Sequence, residues 1–493
     1  MKMTYLRKSI ALLMSPIIFC LVIPPAVSGS ERSDLDSYIT TFLEDHGIPG
    51  ATVTILQNGE PYYSQEWGMS GGSEEKITHD TPFLLGSISK SFTGLATFQL
   101  LEQGLIQLDD PVQRHIPWFT LEDEEAASRI TIRELLSHTS GLSTYSGLLV
   151  ADQGSSSVHA IKDNVKSLST TRLSATPGTY QYSDTNYLIL GALIEEVTGQ
   201  TYTKTLQENI FIPIGMDHAS ADHQSADRAG YKPGYRSWFG IPFKSALPYD
   251  NGGAPYGYIS ASSKDMEKYL KFIQGESELL SRERLEQFLS PLTQTRADRH
   301  YGYGWMFTDY KTANPMIWHS GSTPDSRTEL FLLPDEGWSG VILTNRNHAM
   351  EEEDLAYLKE GIIQILRGEK PLQTQHTHSM IPFVLLGMVV IMLALIGQLL
   401  RGLMTLKEMR NRYWLITGTL CMTTAVLIIP GISHFTSAPW RTVRLFAPDL
   451  AILIDILVWL IGFYGILALI VPTRGQLNRS PFSQSPHTND DYQ

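Results

Sequence analysis

The sequence predicts an α+β domain followed by three membrane-spanning helices. Strand-like runs stand at both ends of the first two thirds of the chain, with helical patterns between them. A sheet that joins early and late segments and packs helices against itself gives that order. Three apolar runs then crowd the C-terminal end, each long enough to cross a bilayer core as a helix. The N-terminus, MKMTYLRKSIALLMSPIIFCLVIPPAVSGSE, has the basic start, apolar run and small residues of an export signal.

In that signal, residues 1–28, Lys2, Arg7 and Lys8 supply the charge, and Ala26 and Ser28 place cleavage just after Ser28. The alternative is an uncleaved anchor; either one sends the following domain across a membrane. Cys20 lacks the Leu-x-Gly context of a lipoprotein cysteine, so lipidation is not expected. Residues 30–366 read as one domain. SDLDSYITTFLEDHGIPG puts Leu35, Ile39, Phe42 and Leu43 on one helix face and stops at Gly47. ATVTILQNGEPYYSQEWG alternates around Asn58-Gly59, a hairpin signal. FLLGSISKSFTGLATFQLLEQG and TNYLILGALIEEVTGQ are buried helices, the first ending at Gly104. PMIWHSG, TELFLLPD and GWSGVILTNRN are strands at hairpin spacing.

Residues 367–380 read as a tether and 381–471 as three spans, Ile381–Leu400, Tyr413–Ile432 and Ala451–Val471. The first link between spans carries Arg401, Lys407, Arg410 and Arg412, and the second only Arg441 and Arg444. Positive charge stays in the cytoplasm, so the first link and the tail, 472–493, are expected inside, with the large domain outside. This makes a multi-pass protein of the cell membrane whose large domain is extracytoplasmic. Asp455, within the last span, reads as a carboxylate near enough to the interface to be tolerated; the alternative is a functional acid facing the interior of the bundle.

Composition excludes several functions. A net charge of -13 repels phosphate, so no nucleic acid partner is expected. The two cysteines, Cys20 and Cys421, both lie in apolar segments, which leaves the domain without a disulfide or a cysteine nucleophile. No zinc-type spacing occurs, His376 and His378 lie in the tether, and neither metal nor cofactor is expected. The acidic run Glu351–Asp354 reads as a solvated helix start.

The chemistry centres on Ser87 and Lys90. Positions i and i+3 share a helix face, which puts the ammonium within reach of the hydroxyl. A serine in the first turn sits where amides point outward and the dipole favours an oxyanion. Phe83, Leu84, Leu85, Ile88 and Phe92 surround the pair, so Lys90 should be poorly solvated, its pKa lowered, and its neutral amine able to take the serine proton. The alternative is a serine cap and a lysine stem lying along the surface. Two decoys lack this context. Ser73 and Lys76 sit in a polar turn, and Gly68-Met69-Ser70-Gly71-Gly72 matches a nucleophile elbow without a helix behind it.

Together with LDDPVQRHIP, ITIRELLSHTSGL, PGTYQYSDTNYLILGALIEEVTGQ, YGYGW and HSGSTPDSRTELFLLPD, in that order, the segment resembles the serine hydrolase family of class C β-lactamases and low-molecular-mass penicillin-binding proteins. The resemblance covers about Asp34 to Asn347 and not the membrane part. It implies a β-lactamase/transpeptidase-like antiparallel sheet flanked by helices, with a helical subdomain. It also makes Ser87 the nucleophile, Lys90 its lysine and Tyr182 a proton shuttle whose phenolate a nearby ammonium would stabilise. His319 and Gly321 fall in the third motif, which binds substrate along a sheet strand. The resemblance also implies that the amides of Ser87 and Ser322 form an oxyanion hole.

Two residues depart from the family pattern. Asp184 stands where asparagine is usual, and a carboxylate accepts hydrogen bonds but cannot donate them. It should favour an amine near the substrate's acyl side and raise the pKa of Lys90. His319, mostly neutral at pH 7, should hold a carboxylate less firmly than lysine would. The expected function is a membrane-anchored hydrolase that forms an acyl-enzyme on Ser87. Its substrate is a small molecule or peptide of the bacterial cell envelope, such as a D-alanyl peptide or ester. The alternative is a receptor that binds a β-lactam or envelope ligand and passes a signal to its spans. No feature names a protein partner.

Overall fold

The computed structural model describes residues 29–72, 75–276, 279–309, 314–371, 379–404 and 411–477. The expected signal at 1–28, the middle of the tether at 372–378 and the tail beyond 477 lie outside the described residues, as does the first link between 405 and 410.

Eight strands build the main sheet: β1 (Gly50–Gln57), β2 (Glu60–Gly68), β3 (Thr293–Arg296), β4 (Arg299–Gly302), β5 (Trp305–Thr308), β6 (Met316–Thr323), β7 (Ser326–Leu333) and β8 (Trp338–Thr344). Their order is β2-β1-β8-β7-β6-β5-β4-β3, antiparallel throughout. The early hairpin turns at Asn58-Gly59 and joins the late strands through β1 and β8, with Val53 opposite Ile342. This is the α+β sandwich read from the sequence.

Alternation along the strands builds two cores. Val53, Ile55, Phe331 and Ile342 face Leu35, Ile39 and Phe42 of α1 (Gly29–Asp45). Leu56, Leu330, Val341 and Leu343 face the other way, toward the layer that holds α2 (Ser89–Glu102) and α3 (Asp184–Thr198). The last helix of the domain, α4 (Glu352–Leu366), closes the first layer with Leu358 and Ile362. Buried Lys359 on α4 lies 3.1 Å from Glu329 of β7, whose other oxygen is 2.8 Å from Arg327. The elbow-like Ser70 follows β2 in a turn, with no helix behind it.

Three later helices are long and apolar enough to cross a membrane: α5 (Ile381–Met404), α6 (Asn411–Thr436) and α8 (Pro448–Leu477). The shortest, α5, has 24 residues and at 1.5 Å per residue spans about 36 Å, against a hydrocarbon core of about 30 Å. Helix α8 continues six residues past Val471. The short helix α7 (Trp440–Phe446) links α6 to α8. Its Trp440 and Arg444 lie 3.0 and 2.9 Å from Asp455, which satisfies that carboxylate near the end of its helix.

The helical bundle packs against the domain. Phe239, between the strands Tyr235–Trp238 and Ile241–Lys244, meets Leu385 and Leu453. Its amide donates to Asp449, which also holds His348 at 3.0 Å. Arg441 reaches the carbonyls of Ala151, Leu149 (3.3 Å) and Asp152 (3.4 Å).

The Lys359–Glu329–Arg327 cluster makes a stability prediction. Glu329→Leu removes the carboxylate that both buried cations share, leaving Lys359 only Glu360 at 3.6 Å, and should destabilise the domain by about 3–5 kcal/mol. Lys359→Met should cost less than half of that, because Arg327 still holds Glu329. Chemical unfolding of the full chain followed by tryptophan fluorescence measures both.

Candidate active site

Ser87 lies on a single 3-10 turn, Gly86–Ile88, that feeds α2. The turn is held from both sides. Leu85 exchanges a backbone bond of 2.8 Å with Ile259, and the Ser89 hydroxyl accepts from the Ile259 amide. Thr328 and Ser326 of β7 donate to the carbonyls of Leu85 and Leu84 at 2.7 and 2.8 Å. Gly86 has φ +54°, and a Cβ on it would lie 2.3 Å from the Ser322 amide nitrogen. On β6, a Cβ at Gly321 would lie 1.9 Å from the Leu85 carbonyl. Glycine at 321 is thus required for the strand to approach the serine turn, before any substrate backbone is considered. β5 pairs with β6 only from Met316 to Trp318, so the edge of β6 beyond Trp318 is left to face this turn. The Ser87 turn and the Ser322 segment of β6 therefore lie in direct backbone contact.

Lys90 is wholly buried, one turn along. Its Nζ lies 3.0 Å from Ser87 Oγ, 2.8 Å from the Tyr256 carbonyl and 2.7 Å from Asp184 Oδ1. The ring centroid of Tyr182 is 4.8 Å away. Burial lowers the Lys90 pKa and Asp184 pushes it back up; burial wins. Both influences were expected from the sequence, but their balance was not. When neutral, the amine can donate to Tyr256 and Asp184 and turn its lone pair to the Ser87 hydroxyl.

Tyr182 reverses an expectation. Its pKa is raised well above the ordinary value, by burial first and then by Asp184, although its hydrogen bond to Ser87 acts the other way. Burial thus opposes the phenolate that a nearby ammonium would stabilise. Asp184 reaches Lys90 from the first turn of α3, just after the N-cap Ser183.

His319 is buried and neutral. Its pKa falls to about 3, through burial first and then the charge of Lys90. Nδ1 lies 2.7 Å from the Ser320 carbonyl, which makes it the donor and leaves Nε2 an acceptor without a partner. The ring packs against Tyr182 and Tyr301 and does not line the cavity into which Ser87 opens. It carries no charge with which to hold a carboxylate.

Three further residues complete the site. His138, at φ +56°, packs with its ring tilted 4.3 Å from that of Tyr182, and burial pushes its pKa well down. Its Nδ1 accepts from the Ser183 amide (3.2 Å) and the Asn186 side-chain amide (2.9 Å), fixing the turn that presents Tyr182 and Asp184. Glu352 corrects the reading of 351–354 as a solvated helix start. It accepts from the Ser322 hydroxyl and from Asn347, while Glu351 pairs with buried Arg346 at 2.7 Å. Asp152, hydrogen-bonded by Tyr258 at 2.7 Å, is raised by burial to about 7. The cavity, of about 460 Å³, is lined by Ser87, Asp152, Asp184, Ser322 and Glu352. Among the described residues no lysine, arginine or histidine lines it. Among the described residues no group of histidine, cysteine and carboxylate side chains could hold a metal.

The Beta-lactamase family model matches residues 35–363, well over half of the chain. The chain belongs to the beta-lactamase family. Protein flp of Staphylococcus aureus (strain N315) is 25% identical over 461 residues, covering 90% of this chain and 91% of that protein. That alignment covers more of the chain than the family match, so it extends into the three C-terminal apolar helices. Penicillin-binding protein 4* of Bacillus subtilis (strain 168) is 27% identical over 345 residues, covering 66% of this chain and 74% of its own. The D-alanine carboxypeptidase AmpC of Burkholderia cenocepacia shares the fold, with a TM-score of 0.57 at 21% identity over 69% of this chain and 99% of that one. The family is one of serine hydrolases, and the ordered motifs noted in the sequence all fall inside the matched range.

An acid-stability prediction follows from His319. A histidine whose folded pKa is depressed binds its proton more readily in the unfolded chain. Stability is then full above about pH 6.5 and declines as pH falls toward about 3. Unfolding midpoints of the full chain should drop through that window, and His319→Asn should flatten the slope.

Proposed function

We propose that this chain is a membrane-anchored, extracytoplasmic serine hydrolase that acts through an acyl-enzyme on Ser87. The substrate is a peptide or ester of the bacterial cell envelope, processed in the manner of a D-alanyl carboxypeptidase, esterase or D-aminopeptidase. The observation that carries this reading is the meeting of one hydroxyl, one desolvated amine and one protonated phenol at Ser87. Environments that push two titratable groups in opposite directions assign the base and the acid.

Ser87 Oγ attacks the carbonyl carbon and its proton passes to neutral Lys90. The Ser87 and Ser322 amides hold the oxyanion. Tyr182 gives its proton to the departing amine or alcohol, and the Lys90 ammonium beside it restores the phenol. Water then cleaves the acyl-enzyme to the acid and frees Ser87. Asp184, with Asp152 and Glu352 in the same cavity, favours an acyl group that carries an ammonium. Outward orientation of the domain rests on the lysine and arginine bias of the two links.

The ion pair between Lys90 and Asp184 also suits a receptor that is acylated but does not turn over. Turnover decides between the two. Cleavage of p-nitrophenyl esters or D-alanyl peptides, abolished by Ser87→Ala, supports the hydrolase. An adduct on Ser87 that persists for hours with every acyl donor tried supports the receptor.

Asp184→Asn removes the charge that holds the Lys90 pKa up. The limb on which kcat/KM rises with pH should move to lower pH, and β-lactam turnover should increase. An unmoved limb in the pH profile would rule out Asp184 as the group opposing burial.

A further inference from the structure

The cavity at Ser87 is not enclosed by the hydrolase domain alone. One side consists of Leu148, Ala151, Tyr256 and Met350 of the domain, and the other of Ile432 on α6, Val443 and Phe446 on α7, and Leu450 and Ile454 on α8. Carboxylates lie at the serine end, and the far wall is almost wholly apolar. At about 460 Å³ the space is within the range of about 300–1,000 Å³ typical of small-molecule sites.

The depth of that wall matters. Ile454 lies six residues into α8 and Ile432 four residues before the end of α6. At 1.5 Å per residue these positions are about 9 and 6 Å inside the helix ends. The headgroup layer on each side of a bilayer is about 5–8 Å thick. The cavity therefore runs from the nucleophile through the headgroup level to the hydrocarbon boundary. Arg441 and the Asp449–His348 contact hold the two walls together. The wall lines the same cavity as Ser87, Asp184 and Ser322, and His319 does not line it.

We infer that the site takes an amphiphilic acyl substrate at the bilayer surface, with its apolar chain lying against the wall formed by α6, α7 and α8. This rests on the membrane-anchored hydrolase reading and adds the substrate class. The chain's own membrane helices are a binding subsite as well as an anchor. The occupant is the alkyl part of the substrate, because the space is continuous with the reacting serine. A bilayer lipid that merely fills the space is the competing occupant.

The test uses the full chain in phosphatidylcholine nanodiscs, with p-nitrophenyl acetate and p-nitrophenyl decanoate as substrates. Decanoate should exceed acetate in kcat/KM by at least tenfold. Ile454→Asn should reduce that ratio at least tenfold and the milder Ile454→Ala at least threefold. Because both esters meet the same discs, partitioning into lipid cancels in comparisons between variants. A ratio unchanged by both substitutions overturns the inference and leaves lipid as the filler. A second readout does not need turnover. Calorimetric binding of decanamide to the Ser87→Ala protein should weaken with the same Ile454 changes, and equal binding would also overturn the inference. If Ser87→Ala still cleaves acetate, the hydrolase reading fails, while the binding comparison still judges the wall.

Discussion

The site is organised by a single desolvated amine. Lys90 has no solvent exposure, so each of its hydrogens must be met by protein. The Tyr256 carbonyl, the Asp184 carboxylate and the Ser87 hydroxyl come from three separate parts of the chain to do so. That demand fixes where α2, α3 and the segment before Ile259 stand relative to one another. It also explains the glycines at 86 and 321, since a side chain at either would push the serine turn off the strand and the hydroxyl away from the amine. Asp184 offsets part of the cost of burying the charge, and so sets how readily the amine gives up its proton.

A second ring of contacts keeps that geometry in place without touching a reacting atom. The His138 imidazole accepts two hydrogen bonds from the turn that carries Tyr182 and Asp184, and the Ser140 hydroxyl turns the Asn186 amide toward it. Arg327 donates to the Gly321 carbonyl at 3.0 Å, and Glu352 grips the Ser322 side chain. Buried hydrogen-bonded groups of this kind hold side chains in one arrangement, which transition-state stabilisation by preset dipoles requires.

Much of this was legible in the sequence, and the failures have physical causes. Alternation around Asn58-Gly59 and in the late runs gave the strands, and the three-residue spacing gave Ser87 and Lys90. What spacing cannot supply is the outcome of opposed influences. Whether burial or Asp184 dominates at Lys90 depends on depth, and the same burial pushes the Tyr182 pKa up where a nearby ammonium was expected to favour the phenolate. Gly321 was read as room for substrate, but the atom it makes room for is the Leu85 carbonyl, far away in the chain. Glu352 looked like a solvated acid because nothing nearby in sequence shows that Ser322 and Asn347 converge on it. Val443 and Ile454 carried no signal at all, since an apolar residue in or beside a span reads as lipid-facing whether or not it lines a cavity.

The grip of Arg441 on the carbonyls at 149–152 bears on how the hydrolase is aimed. A domain hung from the spans by its linker alone would tumble, and its cleft would sample every direction. Here the guanidinium, Asp449 and Phe239 pin the domain at separate points, which removes that rotational freedom. The mouth of the cleft thus has a set bearing relative to the three apolar helices, like a tool clamped to a bench, and shortening or lengthening the linker would leave that aim unchanged.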